Sequence, residues 1–204
     1  MVSLHDIFVE LVRDLELTGI ALALAGITGI PLGILIARER WLAAPVLAVI
    51  SVVYTIPSVA LLGFMIPLFG IGPRVAIVAL FLYALLPIVR NAYTGIDQSD
   101  TAASEAARGL GMTEAQVLAR VVLPQALPVL MAGVRTSAVL SVSVATLAAL
   151  VGAGGLGKFV FEGIDVTNTR MILSGAIPIA ALALLLDGAL ARLERWLTPR
   201  GLRK

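Results

Sequence analysis

The chain has 204 residues, of which 59% are hydrophobic and 14% are charged, whereas roughly 25% of residues are charged in ordinary soluble domains. Its mean hydropathy of +1.02 indicates more apolar surface than a soluble fold of this length can bury, and a bilayer accommodates that surface. The net charge is only +2. The absence of cysteine excludes disulfides and thiolate metal sites, and a single histidine, His5, excludes a histidine-based metal centre.

The first residues predict a short amphipathic helix over 1–14 that lies on the membrane surface. Ile7, Phe8, Leu11 and Val12 recur at helical spacing, with polar residues between them. Acidic rather than basic residues precede the first apolar run, which is not typical of a secretory signal peptide. We therefore expect that run to be retained as a membrane span.

Five apolar segments are long enough to cross a bilayer, which takes roughly 20 residues. They cover about 15–37, 42–69, 75–96, 127–151 and 171–190. The sequence therefore predicts an all-α polytopic membrane protein with about five transmembrane helices, in which the whole chain, 1–204, forms a single domain.

The second segment, 42–69, is longer than one span requires and contains Pro57 and Pro67. We expect its helix to kink or end near Pro57 and a short buried or re-entrant piece to follow, because proline interrupts the helical hydrogen bonds. Broken elements of this kind often line a pathway, although a plain kinked helix is the alternative. Tyr54 and Tyr83 are further candidates for lining the pathway, with core packing as the alternative for each.

Lysine and arginine are unevenly distributed between the two sides of the membrane, and the more basic side is normally cytoplasmic. With five spans, the side of the N-terminus and of an extracellular loop over 152–170 carries only Arg13, Arg74, Lys158 and Arg170. The other side carries Arg38, Arg40, Arg90, Arg108, Arg120, Arg135, Arg192, Arg195, Arg200, Arg203 and Lys204. The N-terminus is therefore predicted outside and the C-terminus in the cytoplasm of a plasma (inner) membrane protein.

The 97–125 loop on the cytoplasmic side is polar, yet it is rich in alanine and leucine and so should be helical. A first helix is predicted to stop at a glycine turn around Gly111. A second helix begins at Thr113, which has capping-box spacing with Gln116, and ends before Pro124. The pattern predicts a helix, a turn and a helix exposed to the cytoplasm between two spans.

The same loop contains Glu-Ala-Ala, three residues, Gly, nine residues and then Val-x-Leu-Pro. These are Glu105, Ala106, Ala107, Gly111, Val121, Leu123 and Pro124. The spacing resembles the EAA loop of binding-protein-dependent ABC importer permeases, although that family usually has isoleucine at the position of Val121. The resemblance implies that these residues couple the permease to a separate ATPase by docking in a groove on it. The alternative is an ordinary amphipathic helical hairpin.

Further blocks over 29–38, 55–72 and 152–178 resemble the osmoprotectant branch of that family in its short form, so the resemblance covers nearly the whole chain. It implies a permease for glycine betaine, choline, carnitine or a related quaternary amine. Methionine, another amino acid or another small solute remains open, because related branches carry these on similar scaffolds. The implied partners are two ATPase subunits, a second permease that is identical or homologous, an extracellular or periplasmic binding protein and membrane lipid, with no nucleic acid.

The segment from Gly152 to Lys158 nearly matches a phosphate-binding loop, but Phe159 stands where that loop needs serine or threonine. We therefore expect no ATP binding by this chain, no cofactor, no metal and no catalytic residue. A secondary transporter that works without an ATPase is the main alternative and would need ionisable residues inside the spans. Asp187 is the candidate there, and an ion pair with Arg192 and Arg195 is its expected role.

Overall fold

The computed structural model describes residues 2–198, and over this range the regular structure consists of helices. In chain order these are α1 (Leu4–Arg38), α2 (Arg40–Thr55), α3 (Ser58–Phe69), α4 (Pro73–Asp97), α5 (Thr101–Gly109), α6 (Glu114–Val117), a π-helical turn (Leu118–Val122), α7 (Leu123–Ala148), a 3-10 turn (Ala149–Val151), α8 (Gly157–Asp165) and α9 (Thr169–Leu197). Arg200, Arg203 and Lys204, which the orientation prediction also uses, lie outside the described residues.

Four long apolar helices in this range can cross a membrane, and α2 with α3 forms a bent pair that can count as a fifth span. The four are α1, α4, α9 and the continuous run Glu114–Val151 that contains α7. These helices confirm the predicted all-α membrane fold.

The predicted break near Pro57 is present. Helices α2 and α3 meet at an angle of 97°, and Ile56 between them has extended backbone with φ −66° and ψ 128°. Proline has no N–H to donate to the preceding turn and disfavours helical backbone in the residue before it, so α2 ends at Thr55. The segment is therefore two helices rather than one kinked helix. Pro67 lies inside α3 without ending it.

Helices α1, α4 and α7 form the centre of the chain, and small residues allow α1 to approach α4 closely. A Cβ atom at Gly33 would lie 2.4 Å from Ala92 Cβ and 3.0 Å from the carbonyl oxygen of Val89, both on α4. In lipid, helix association depends on such close van der Waals contact because burial of apolar surface contributes little. The small residue at Gly33 is therefore required by packing within one chain.

The segment predicted as a separate surface helix is the first part of α1. Ser3 caps this helix through a capping box with Asp6, and α1 then continues to Arg38 with no interruption near residue 14. The sequence contains no proline or glycine between Leu4 and Thr18 that would end the helix. The N-terminal polar residues thus extend the first long helix by several turns.

The 152–170 loop contains a helix, α8, that the sequence analysis did not predict. Two carboxylates of α1 accept hydrogen bonds from the two residues just before α8: Gly155 N–H donates to Glu10 Oε2 at 2.6 Å and Leu156 N–H donates to Asp14 Oδ2 at 3.0 Å. Carboxylates from α1 therefore fasten this loop to the N-terminal part of the chain.

The close packing of α1 on α4 predicts that Gly33→Ala lowers the free energy of unfolding by about 1–3 kcal/mol, the usual cost of overpacking. Gly26→Ala is the matched control, because a Cβ there meets nothing within 4 Å and alanine is the better helix former. Thermal unfolding of the purified protein in detergent, followed by tryptophan fluorescence, measures both. Equal stability of the two variants would contradict the packing role of Gly33.

Candidate functional site

The 97–125 loop folds as a helix, a turn and a second helix. Asp100 Oδ1 accepts hydrogen bonds from Ala102 N–H at 2.8 Å and from Ala103 N–H at 3.3 Å, which starts α5. The turn contains Gly111 at φ 85°, a left-handed conformation that side chains disfavour. Thr113 then caps α6, with Gln116 N–H donating to its hydroxyl and its own N–H donating to the Gln116 side chain. The predicted capping box is therefore confirmed.

The prediction that the second helix ends before Pro124 is wrong. Helix α6 continues through the π-helical turn Leu118–Val122 into α7, and Leu123 N–H donates to the carbonyl oxygen of Leu118, five residues back. A π turn is a wider turn that accommodates an interruption of the regular ladder, such as the missing N–H of Pro124. The loop and the span are therefore one continuous helical element.

The motif residues of this loop fall into two groups. Glu105, Ala106 and Gly111 are exposed in α5 and the turn, whereas Ala107 is buried. The remaining three, at the base where the loop enters α7, are partly buried: Val121, Leu123 and Pro124. The structure thus brings the first group to a free surface and places the second group inside the helix that leads away from it.

An ion pair that the sequence analysis missed closes the turn. Arg108 Nε lies 2.7 Å from Glu114 Oε1 and Arg108 Nη2 lies 3.2 Å from Glu114 Oε2, a bidentate arrangement. The carboxylate raises the pKa of the Arg108 guanidinium. The two residues are six positions apart, which is not a helical pairing distance, and only the turn brings them together. Since both side chains are largely exposed, the pair contributes little to stability and chiefly orients the turn.

A charged cavity of about 300 Å³ separates the loop from the ends of α1 and α4. Arg40, at the start of α2, contacts Asp97, at the end of α4, with 3.0 Å between Nη2 and Oδ1. The cavity lining includes Arg38, Asp97, Glu105, Arg108 and Glu114. The loop therefore lies beside the ends of three helices, α1, α2 and α4, as well as continuing into α7.

Tyr54, Pro57 and Tyr83, the candidates for lining a pathway, lie together at the break between α2 and α3. The rings of Tyr54 and Tyr83 pack edge to face, with centroids 5.7 Å apart and planes at 67°. The Tyr83 hydroxyl donates a hydrogen bond to the carbonyl oxygen of Ile56. Here they border a cavity of about 310 Å³, which we call the break cavity, lined by Tyr54, Thr55, Ile56, Pro57, Ser58, Tyr83, Leu140 and Val144.

A second cavity of about 490 Å³, the inner cavity, borders the same helix α7 and shares Leu140 with the break cavity. Its lining consists of Ala132, Arg135, Thr136, Val139, Leu140 and Asp187. Residues 132, 136, 140 and 144 follow one another at intervals of four, so each is the neighbour of the next along a slanting stripe of α7. Both cavities therefore open along one stripe of this helix, and the stripe exposes the small or polar residues Ala132 and Thr136.

The expected pairing of Asp187 with Arg192 and Arg195 is wrong, because Asp187 pairs with Arg135 of α7. Arg135 Nε and Nη2 lie 2.8 and 3.0 Å from the two Asp187 oxygens, and Nη1 lies 3.2 Å from Glu194 Oε2. Arg192 and Arg195 are on the same helix as Asp187, at spacings that do not place them over it. The acids form no metal site, since residues 2–198 hold no group of three or more histidine, aspartate or glutamate side chains suited to a metal ion.

Comparison with known proteins matches residues 29–200 to the family described as the binding-protein-dependent transport system inner membrane component. The osmoprotectant import permease protein OsmW of Salmonella typhimurium is 49% identical over 94% of this chain and 91% of that protein. The carnitine transport permease protein OpuCB of Listeria monocytogenes is 44% identical over 98% and 92%, and the choline transport system permease protein OpuBB of Bacillus subtilis is 43% identical over 91% and 85%.

Two solved structures resemble the fold. An inward-facing MetNI methionine ABC transporter matches with a TM-score of 0.86 and 26% identity, covering 95% of this chain and 96% of the other. A chain of an amino acid ABC transporter with histidines matches with a TM-score of 0.67 at 21% identity, covering 95% and 92%, which shows the fold alone. The helical arrangement is therefore that of importer permeases.

The ion cluster predicts that Arg135→Gln lowers the free energy of unfolding by about 1–3 kcal/mol, because Asp187 and Glu194 lose charged hydrogen-bond donors while partly buried. Arg192→Gln is the matched control, since within 2–198 Arg192 makes no ion pair. Thermal unfolding of both purified variants in the same detergent provides the comparison. If Arg135→Gln unfolds no earlier than Arg192→Gln, the cluster does not stabilise the α7–α9 contact.

Proposed function

This chain belongs to the binding-protein-dependent transport system inner membrane components, and on that premise we propose which solute it carries and how it is coupled to ATP. It is a multi-pass inner membrane protein and the non-catalytic permease subunit of an ABC importer. Separate ATPase subunits hydrolyse ATP in this family, and a binding protein and a second permease complete the importer.

The solute is a quaternary-amine osmoprotectant of the glycine betaine, choline or carnitine type. This is supported by relatives that cover more than nine-tenths of this chain and are named for osmoprotectant, carnitine and choline transport. Methionine or another amino acid is the second candidate, since the MetNI methionine transporter has a similar fold. The methionine transporter is only 26% identical to this chain, whereas the osmoprotectant permease OsmW is 49% identical, which favours the quaternary amine.

The 97–125 loop is the contact with the ATPase, and two ATPase subunits serve two permease subunits. Glu105, Ala106 and Gly111 present a free surface to the ATPase groove, and the Arg108–Glu114 pair holds the turn in shape. The base of the contact consists of Ala107, Val121, Leu123 and Pro124. In this orientation the loop and the C-terminus are cytoplasmic and the N-terminus is outside, as the excess of basic residues near the loop supports.

Closure of the ATPases moves the loop, and the continuous helix from Glu114 to Val151 carries that movement into the membrane. The movement shifts α7, whose stripe borders both the break cavity and the inner cavity. A rigid-body shift of one packed helix is a common way to switch a pathway between two states. Tyr54, Pro57 and Tyr83 line the outer part of that pathway, and the second permease subunit completes it.

Coupling through the loop predicts that Gly111→Asp abolishes ATP-dependent uptake while the complex still assembles. A side chain at φ 85° strains the turn, and the position is exposed, so the fold tolerates the change. Gly109→Asp is the matched control, because it adds the same charge two residues away, in helical backbone where a Cβ meets nothing within 4 Å. Normal uptake by an assembled Gly111→Asp complex would rule out this role for the turn.

The solute assignment predicts uptake of labelled glycine betaine into proteoliposomes that contain this chain with its ATPase, its binding protein and internal ATP. Omitting ATP is expected to abolish uptake, because the permease holds no energy source of its own. Uptake that persists without ATP would instead support a secondary transporter. An assembled complex that hydrolyses ATP but imports no quaternary amine would remove this solute class and leave methionine or another amino acid.

A further inference from the structure

The break cavity combines two aromatic rings, a helix C-terminus and apolar walls. We infer that it is a transit site for the quaternary ammonium group of the solute inside the permease itself, with Tyr54 and Tyr83 as the residues that receive the cation. The inference rests on the proposed solute class and adds a place in this chain where that class is recognised. Recognition here is separate from capture by the external binding protein.

The two rings form the kind of surface that attracts a cation without hydrogen bonds. A positive charge near the face of a tyrosine ring is attracted by the electrons of the ring, most strongly where water is excluded. Tyr83 is only 9% exposed, and its hydroxyl is held by the carbonyl oxygen of Ile56. With the ring planes at 67°, Tyr54 and Tyr83 form a corner rather than a stack. The corner is therefore pre-organised before any solute arrives.

The end of α2 adds a partial negative charge at the same place. Helix α2 ends at Thr55, next to the extended backbone of Ile56, and both residues line the cavity. The last carbonyl groups of a helix lack partners within it and give its C-terminus a partial negative charge, which favours cations. Helix α3 begins at Ser58, which also lines the cavity, and the partial positive charge of its N-terminus offsets part of this negative end. The rings therefore supply the main attraction for a cation.

The cavity walls suit the methyl groups of a quaternary ammonium. Among the described residues that line the cavity none carries a charge, and Leu140 and Val144 of α7 supply apolar surface. A trimethylated nitrogen has no N–H group that needs an acceptor, so contact with this uncharged wall costs it little free energy.

The size and charge of the cavity indicate brief occupancy. A volume of about 310 Å³ is at the lower end of the roughly 300–1,000 Å³ typical of small-molecule sites. Without a carboxylate in the lining, the cation is attracted only by rings and backbone dipoles. A conducting site must bind strongly enough to admit the solute and weakly enough to release it. The inner cavity follows along the same α7 stripe and is lined by Arg135 and Asp187. Glu194 contacts Arg135 from outside the lining, so the three side chains have one excess negative charge.

The first experiment measures glycine betaine uptake by the complete importer at saturating loaded binding protein. Tyr54→Phe and Tyr54→Trp keep an aromatic face, so uptake within about twofold of the unaltered importer is expected, whereas Tyr54→Leu is expected to lose about tenfold in maximal rate. Tyr93→Leu is the matched control, because Tyr93 is a similarly half-buried tyrosine that packs against α1 and α2, away from the cavity. Equal rates for Tyr54→Leu and Tyr54→Phe, whether both high or both low, would overturn the inference.

A second experiment uses the absence of cysteine from the chain and does not depend on a variant that loses a ring. Ser58→Cys places a thiol in the cavity lining, and Thr28→Cys places one on the exposed side of α1, outside that lining. Tetramethylammonium is expected to slow labelling of the thiol at 58 several-fold and to leave labelling of the thiol at 28 unchanged. Labelling of the thiol at 58 that is unaffected by tetramethylammonium would overturn the inference.

Both experiments separate this inference from the solute assignment. If the unaltered importer takes up glycine betaine while Tyr54→Leu transports normally, the transit site is wrong and the proposed function stands. If the assembled, ATP-hydrolysing importer takes up no quaternary amine, the proposed function fails first, and the transit site that rests on it fails as well.

Discussion

The backbone of a chain in lipid has no water to satisfy its N–H and C=O groups, and this constraint shapes every part of the structure. Four long helices satisfy most of these groups internally. Several helix starts are capped by nearby side chains, but at two places side chains distant in sequence supply the partners. The Tyr83 hydroxyl donates a hydrogen bond to the carbonyl oxygen of Ile56 beside the Pro57 break. The carboxylates of Glu10 and Asp14 accept hydrogen bonds from the N–H groups just before α8.

The same constraint explains how the loop is joined to the membrane part. A loop tethered by flexible backbone would absorb any movement of a docked ATPase before it reached the bilayer. Here the π-helical turn keeps the path from Glu114 into α7 helical despite Pro124. Because interiors are close-packed, a displaced helix forces its neighbours to shift as bodies rather than deform locally. In the proposed coupling, helix continuity transmits the movement as much as the motif residues do.

The sequence predicted the features that depend on one segment at a time. Hydropathy gave the spans, Pro57 gave the break, and Thr113 with Gln116 gave the capping box. What it could not supply depends on which helices are neighbours. Asp187 was paired with the wrong arginines because only the packing of α9 on α7 brings Arg135 to it across 52 positions. Helix α8 was missed because its start is stabilised by carboxylates 142 or more residues away.

Charge placement along α7 gives the proposed pathway a direction. The break cavity has no ionised group among its described lining residues, so a cation there interacts only with rings and dipoles. The inner cavity is lined by Arg135 and Asp187, and Glu194 contacts Arg135 from outside that lining. Together these three side chains have one excess negative charge. A cation that passes from the break cavity to the inner cavity moves towards the more negative surroundings. Because Asp187 and Glu194 are already paired with Arg135, neither acid forms a tight ion pair with the cation. On this proposal the permease favours passage over retention, and strong selection of the solute falls to the external binding protein.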